Sequence, residues 1–276
     1  MVSTASIILM ALDMVLGVGI PLFLGMYLVR KWGLPLRTFL IGCATFIVFA
    51  LILESIMHRL VLGSEVGKTI QDSTLYLALY GGLAAGIFEE TGRLVSMKAF
   101  LRKQYDDDGN AIMYGAGHGG VEVLFVLGFS MLGNLMIAVL SNTGNLDLLT
   151  AKMDSAQAES FSKAIVALQD IKPTTFLAAP LERVSALILH ISLSVLVWIA
   201  VTRRKILLFP LAVLLHAGMD MGAVALNKGG MNVFLLEGII LLIALGCALI
   251  AYLAWKKNSL SFRRVENPGD TSPKTD

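Results

Sequence analysis

The run MNVFLLEGIILLIALGCALIAYLAW, residues 231–255, decides the fold class of this chain. It is almost wholly apolar and exceeds the ~20 residues that a helix needs to cross a bilayer. Further stretches of the same kind precede it, at about 5–29, 38–62, 74–97, 111–140, 175–201 and 206–226. The sequence therefore predicts an all-α fold, a polytopic membrane helical bundle of about seven transmembrane helices. The stretch 111–140 is longer than one crossing requires, so we expect it to be tilted or broken.

Composition excludes the other classes of protein. The chain has 276 residues, of which 56% are hydrophobic and 15% charged, and its mean hydropathy is +0.76. Soluble domains carry about a quarter charged residues, and disordered chains need low hydrophobicity with high charge. The two cysteines, Cys43 and Cys247, lie in apolar runs, which argues against a disulfide scaffold or a cysteine-based zinc site. A net charge of +2 indicates no nucleic acid partner, so the expected surroundings are the lipid bilayer.

The basic residues predict the orientation. One set of loops carries fourteen lysines and arginines and the opposite set six, which places the N-terminus outside and the C-terminus in the cytosol. We predict a single integral membrane domain over 1–257 and a disordered cytosolic tail over 258–276, which is polar and contains proline and glycine. The external segment 141–173 is expected to contain an amphipathic helix, since apolar residues recur in it at helical spacing.

Ionisable residues inside the predicted helices are the strongest functional signal. Each costs roughly 2.5–3.5 kcal/mol on the insertion scale, and such residues usually mark function. At ~1.5 Å per residue, four of them on four helices lie roughly 12–18 Å from the cytosolic edge: Glu89, His118, His190 and His216. A shared depth predicts a shared site, which we expect water and an extended substrate segment to reach from the cytosolic half.

The spacing of these residues favours metal chemistry. His118 and Glu122 are four residues apart, as are His216 and Asp220, so each pair shares a helix face. Imidazoles and carboxylates suit Zn²⁺, and a spare carboxylate beside the metal can deprotonate its bound water. The soluble protease motif HExxH is absent, so separate helices would have to assemble the site.

Taken in order, these motifs resemble those of the YhfC-type intramembrane metalloproteases, bacterial relatives of the PrsW proteases and of the CAAX-processing protease superfamily. The resemblance covers about 75–226 and rests on four motifs: Glu89-Glu90-x-x-Arg93, His118-x-x-x-Glu122, Glu182-Arg183 with His190, and His216-x-x-x-Asp220. The spacing of the double glutamate is closer to the EExxK of PrsW than to the CAAX-type EExxxR. The resemblance implies a peptidase of the bacterial inner membrane that cleaves a membrane-protein or peptide substrate.

The resemblance also implies roles for the residues. Glu89, Glu90 and Asp220 would be catalytic, with Glu89 as the base because the first glutamate is the catalytic one in the related pattern. The metal, taken as Zn²⁺, would be bound by His118, His190, His216 and Glu122. Arg93, Glu182 and Arg183 would support these groups. A metal-free mechanism stays open, in which a glutamate activates water while histidine and Asp220 polarise the carbonyl.

Other interpretations remain beside this one. Glu89 with Arg93 could be a structural ion pair, and His118 with Glu122 could be a hydrogen bond between helices. Membrane carboxylates and histidines also form ion relays, so a proton- or ion-coupled transporter is an alternative, although the sequence has no inverted repeat. A non-catalytic membrane scaffold of the same fold is a third. Glu54 and His58, near the outer end of the second helix, are expected to be interfacial.

Overall fold

The computed structural model describes residues 1–151 and 153–259, and within these ranges every regular element is a helix. The α-helices are Thr4–Trp32 (α1), Leu36–Phe46 (α2), Ser55–Leu62 (α3), Glu65–Gln71 (α4), Thr74–Phe100 (α5), Gly109–Val123 (α6), Ser130–Thr143 (α7), Asp147–Thr150 (α8), Ser155–Asp170 (α9), Ala179–Thr202 (α10), Leu208–Lys228 (α11) and Val233–Asn258 (α12). The predicted all-α bundle is confirmed. Most of the predicted tail, from residue 260 on, lies outside the described residues.

Six helical segments in the described ranges are long and apolar enough to cross a membrane, and the chain is a multi-pass membrane protein. They are Thr4–Trp32, Leu36–Leu62, Gly109–Thr143, Pro173–Thr202, Leu208–Lys228 and Val233–Asn258. Helix α5 has a spanning length of 27 residues, but the charges that it carries keep it out of this set. The total of seven crossings and the orientation of the termini therefore stay predictions.

Local sequence sets where the helices begin and end. The Ser3 side chain accepts a hydrogen bond from the Ser6 amide at the start of α1, and the Asn232 side chain does the same for the first amides of α12. Gly33 ends α1 with φ +67°, a backbone conformation that favours glycine. Helix α9 begins with a capping box formed by Asp154 and Gln157.

Two of the spans contain π-helical turns. Ile47–Glu54 joins α2 to α3, and Leu124–Phe129 joins α6 to α7. The second interruption falls in the stretch that the sequence marked as too long for one straight crossing, so the expected break is present. Such turns occur frequently at functional sites, because they change which residues face the interior.

Close backbone contacts hold the site-bearing helices together. A Cβ atom added at Gly117 on α6 would lie 2.0 Å from the Phe39 carbonyl oxygen of α2. One added at Gly86 on α5 would lie 2.8 Å from the Val213 carbonyl oxygen of α11. Small residues permit this approach, which draws the polar faces of α5, α6 and α11 toward the middle of the bundle.

Helix α10 is the central helix, and 72% of its most apolar window is buried. It packs against α5, α6, α11 and α12. Helix α9 lies at one end of the bundle, where its buried Leu168 packs with Val2, Met10 and Phe176. The predicted amphipathic helix in 141–173 is thus confirmed, and its apolar face covers α1 and α7.

Candidate metal centre

Glu89, His118 and His190 meet in the interior from three helices, α5, α6 and α10. One ligand atom of each lies within 4.8 Å of the other two. His118 donates from Nε2 to Glu89 Oε2 at 2.9 Å, and His190 Nδ1 lies 3.8 Å from the same oxygen. The exposed fractions are 0% for His118, 3% for His190 and 7% for Glu89. The shared depth read from the sequence therefore corresponds to real proximity.

Arg93 connects this group to the second glutamate. Its guanidinium is fully buried, forms an ion pair with Glu90, and lies 3.8 Å from Glu89 Oε2. The same guanidinium donates from Nη2 to Nδ1 of His190 at 2.5 Å. A guanidinium has no acceptor, so Nδ1 of His190 must accept and its Nε2 carries the proton. That Nε2 contacts Glu122.

Glu90 faces a different histidine. His216 donates from Nδ1 to Glu90 Oε1 at 2.8 Å, and its Nε2 lies 3.6 Å from Asp220 Oδ2. Adjacent residues on a helix point about 100° apart. Glu89 accordingly contacts His118 while Glu90 contacts His216 and Arg93, which divides the double glutamate between two histidines.

Arg183 forms a second charged cluster beside His190. It donates at 2.5 Å to both Glu122 and Glu182. Arg183 is thus one contact removed from His190, through Glu122. The supporting role of Arg183 and Glu182 stays a prediction.

The structure arranges the predicted ligands differently from the expectation. His118 and His190 belong to the close group, and His216 and Glu122 do not. His216 contacts Glu90, while Glu122 contacts both Arg183 and Nε2 of His190. Glu89, expected to be the base, takes a place in the group.

The donor set fits a metal ion. Two imidazoles and one carboxylate are a known set for catalytic zinc, which leaves a further position open. Nδ1 of His118 is buried without a hydrogen-bond partner, so this ring is tied down only through its other nitrogen. The charge of Arg93, the nearest cation, is offset by its ion pair with Glu90.

A cavity of about 430 Å³ reaches this group. Glu89, His190 and His216 line one end of it, and Asn227 and Glu237 line the other, beside the turn between α11 and α12. That turn lies at the end of the bundle opposite the loops rich in basic residues. Under the predicted orientation this cavity would open on the side opposite to the cytosol, and the expected access from the cytosolic half stays untested.

Large side chains occupy the side of the site that faces the basic loops. Met97, Tyr114, Leu193 and Trp198 are all fully buried there in one hydrophobic cluster. They separate the site from the basic loops, and the cavity extends the other way.

Glu54, expected to be interfacial, is buried within the protein. It is 7% exposed and accepts from His58 Nε2 at 3.1 Å, while His58 Nδ1 lies 2.9 Å from the Tyr80 hydroxyl. The spacing of Glu54 and His58, four residues apart, was a usable signal for their pairing. The contact with Tyr80 depends on how α3 packs against α5, and no spacing reveals it.

Glu237 was missed as well. It is the one charged residue between Lys228 and Lys256, within the run that decided the fold class, and it is 5% exposed. A lone carboxylate in a spanning run is a visible signal. Its position on the wall of the cavity was not visible, because no partner lies at helical spacing.

Comparisons with known proteins show the family to which the chain belongs. Residues 15–241 match the family model described as YhfC intramembrane metalloprotease. The chain is 34% identical over 234 residues to a Bacillus subtilis (strain 168) protein described as the uncharacterized membrane protein YhfC, and the match covers 83% of this chain and 88% of the relative. No solved structure matches the chain. The matched region contains all the site residues described above, and the chain belongs to the YhfC intramembrane metalloprotease family.

Proposed function

We propose that this protein is an intramembrane peptidase that hydrolyses a peptide bond of a membrane-protein or peptide substrate, with Zn²⁺ held by Glu89, His118 and His190. The observation that supports it is the convergence of these three side chains, from three helices, at the buried end of a cavity. The proposal changes the role of Glu89, which the sequence suggested as the base, to that of a ligand.

The metal, when bound, would lower the pKa of a coordinated water and polarise the substrate carbonyl. Zinc is preferred because two imidazoles and a carboxylate from a rigid frame match its common catalytic set. Nδ1 of His190, which lies 3.8 Å from Glu89 Oε2, now accepts from Arg93, so a metal held by this nitrogen would replace that hydrogen bond, while Glu122 would keep its contact with Nε2 and orient the ring.

His216 and Asp220 are the proposed proton-transfer groups. Glu90 accepts from Nδ1 of His216, which directs Nε2 of that ring toward Asp220 and the cavity. A peptide lying in the cavity would meet both groups next to Glu89. They can take a proton and return it to the leaving amine.

The shape of the cavity favours a peptidase over a transporter. A transporter must open its site to each side of the membrane in turn. Here the fully buried cluster around Trp198 and Tyr114 lies between the site and the basic loops, and the cavity that Glu89 lines extends toward the other end. A site reached from one side suits hydrolysis, because the products leave by the same path.

Metal content tests the ligand set directly. Detergent-purified protein loaded with zinc should hold about one ion per chain by mass spectrometry, and His118→Ala should hold almost none while staying folded. The matched control is His58→Ala, which alters the one histidine outside the site and should keep the metal. Equal metal in wild type and His118→Ala would contradict the proposed site.

The Glu89→Gln variant tests whether Glu89 is a metal ligand or the catalytic base. The amide keeps the shape but is a poorer ligand, so metal affinity should fall by ten- to a hundredfold or more and hydrolysis should stop. Glu90→Gln should keep the metal and lower the rate less. Full metal with no hydrolysis in Glu89→Gln would return Glu89 to the role of base.

Hydrolysis itself is measured by mapping new protein N-termini in membranes of cells that produce wild type or His118→Ala. The proposal expects termini that appear only with the wild type. If no terminus depends on His118, the peptidase assignment is wrong.

A further inference from the structure

The cavity walls are strongly acidic. Five carboxylates face it against one guanidinium: Glu89, Glu122, Glu182, Asp220 and Glu237 against Arg183. Arg183 already donates to Glu122 and Glu182 at 2.5 Å each, so those two carboxylates more than balance its charge. A divalent ion at Glu89 would offset the carboxylates around it, and the far wall would stay negative.

Glu237 is the one carboxylate of the described cavity wall that forms no ion pair or hydrogen bond with another side chain. Its side chain lines the open end of the cavity, the residue is only 5% exposed, and its Oε2 accepts no hydrogen bond. A buried carboxylate without a partner costs free energy, so a protein keeps one where a ligand completes it. The ligand must carry a positive charge or several donors.

The depth of Glu237 relates it to the site of hydrolysis. Glu237 is four residues into α12, about 6 Å along the helix, while His216 is twelve residues from the end of α11, about 18 Å. Both measurements start at the same turn, so the two side chains differ in depth by roughly 12 Å. An extended peptide covers this with about four residues at ~3.3 Å each.

We propose that Glu237 binds a positively charged group of the substrate, about four residues from the bond that is cut. The group is an ammonium or guanidinium, carried by a lysine or arginine side chain or by a free N-terminus. This rests on the proposed peptidase function, and it names a substrate class: apolar segments with one basic group near the cleavage site.

The test uses fluorescein-labelled peptides of nine apolar residues that differ at one position, which holds lysine or norleucine. Binding is followed by fluorescence anisotropy in the His118→Ala background, so that cleavage does not interfere. A lysine four residues from the centre should bind about tenfold more tightly than norleucine, and Glu237→Gln should remove that preference. Acetylated and free N-termini, compared on the norleucine peptide, distinguish the two sources of the charge.

The control variant is Glu65→Gln, which alters an exposed glutamate of α4 that pairs with Lys68 away from the cavity and should keep the preference. Unfolding in detergent shows whether each variant is folded, and Glu237→Met provides a second replacement without charge. If the lysine and norleucine peptides bind equally well to the protein that still has Glu237, the inference is overturned.

Hydrolysis of the same peptides by zinc-loaded wild type separates the two proposals. If the lysine peptide binds more tightly than the norleucine peptide and peptides are cleaved, both proposals are supported. If the lysine peptide binds more tightly but no peptide is cleaved, the cation-binding role of Glu237 is kept and the result counts against the peptidase. If peptides are cleaved but lysine and norleucine peptides bind equally, the peptidase is kept and the role of Glu237 is overturned.

Discussion

The closed and open ends of the cavity differ in how their charges are used. At the closed end, Glu90, Arg93 and His118 are 0% exposed. Their ion pairs and hydrogen bonds join the four helices α5, α6, α10 and α11. At the open end, the side chains of Asp220 and Glu182 are 37% and 46% exposed, and Glu237 has an oxygen without a hydrogen-bond partner. The closed end pairs each of these groups with another side chain, although Glu90 Oε2, Arg93 Nε and His118 Nδ1 have no hydrogen-bond partner. The open end leaves Glu237 without an ion pair and exposes Asp220 and Glu182 to water or a ligand.

The largest expected effect, which is all or none, concerns the side of the membrane that each end of the cavity faces. Reporter fusions after Lys103 and Lys205 should report the cytosol, and one after Gln157 the outside, because loops rich in basic residues stay inside. The open end of the cavity would then face outward. A cytosolic signal from the fusion after Gln157 would overturn both the seven-span topology and this orientation.

Arg93→Met should cause the largest loss of stability. It leaves Glu89 and Glu90 buried without their cation, which costs about 3–5 kcal/mol of unfolding free energy. Denaturant unfolding in micelles measures it, with the exposed Arg59→Met as control, expected within about 0.5 kcal/mol of wild type. A loss as small as that of the control would show that the closed end is not held together by Arg93.

Gly117→Ala tests the packing of the closed end. The added methyl would meet the Phe39 carbonyl at 2.0 Å, so α2 and α6 must move apart at a cost of about 1–3 kcal/mol. Gly133→Ala lies on the same spanning segment with nothing within 4 Å, and it should stabilise slightly. Equal effects of the two changes would refute close packing there.

Arg183→Met should have the smallest effect of the four, ~1–2 kcal/mol, since water at the open end can replace part of what Arg183 donates to Glu182. Adding Glu122→Gln should restore part of the loss, because the buried unpaired carboxylate is then gone. Thermal unfolding in detergent measures both. If the loss of unfolding free energy were as large as that of Arg93→Met, the open end would exclude water as fully as the closed end.

Much of the fold and part of the site could be predicted from the sequence. Apolar length alone located the helices, and the common depth of Glu89, His118 and His190 indicated a shared site. Depth is a coordinate along the helix axis, and it carries no information on direction around the axis. The pairing of Glu90 with His216, and of Glu122 with Arg183, depends on helix rotation, so the ligand set could not be assigned.

The direction in which the cavity extends could not be predicted from the sequence, for a related reason. Met97 and Trp198 are apolar residues in apolar runs, and nothing in their spacing shows that they join one buried cluster between the site and the basic loops. Glu237 was visible as an isolated charge, but its meaning came only from the wall on which it lies.

The π-helical segment Ile47–Glu54 has a consequence for how this family changes over time. Its bonds join residues five apart in place of four, so it holds one more residue per turn than the α-helix on either side. Because the wide turn absorbs that extra residue, removing one residue there would restore regular α-helix and leave α3 in its present orientation relative to α2. His58 would then keep its contact with Tyr80, and the α2 contact with Gly117 would be kept as well. A single-codon deletion in this segment can therefore be tolerated without disturbing the packing of the helices that carry the candidate site.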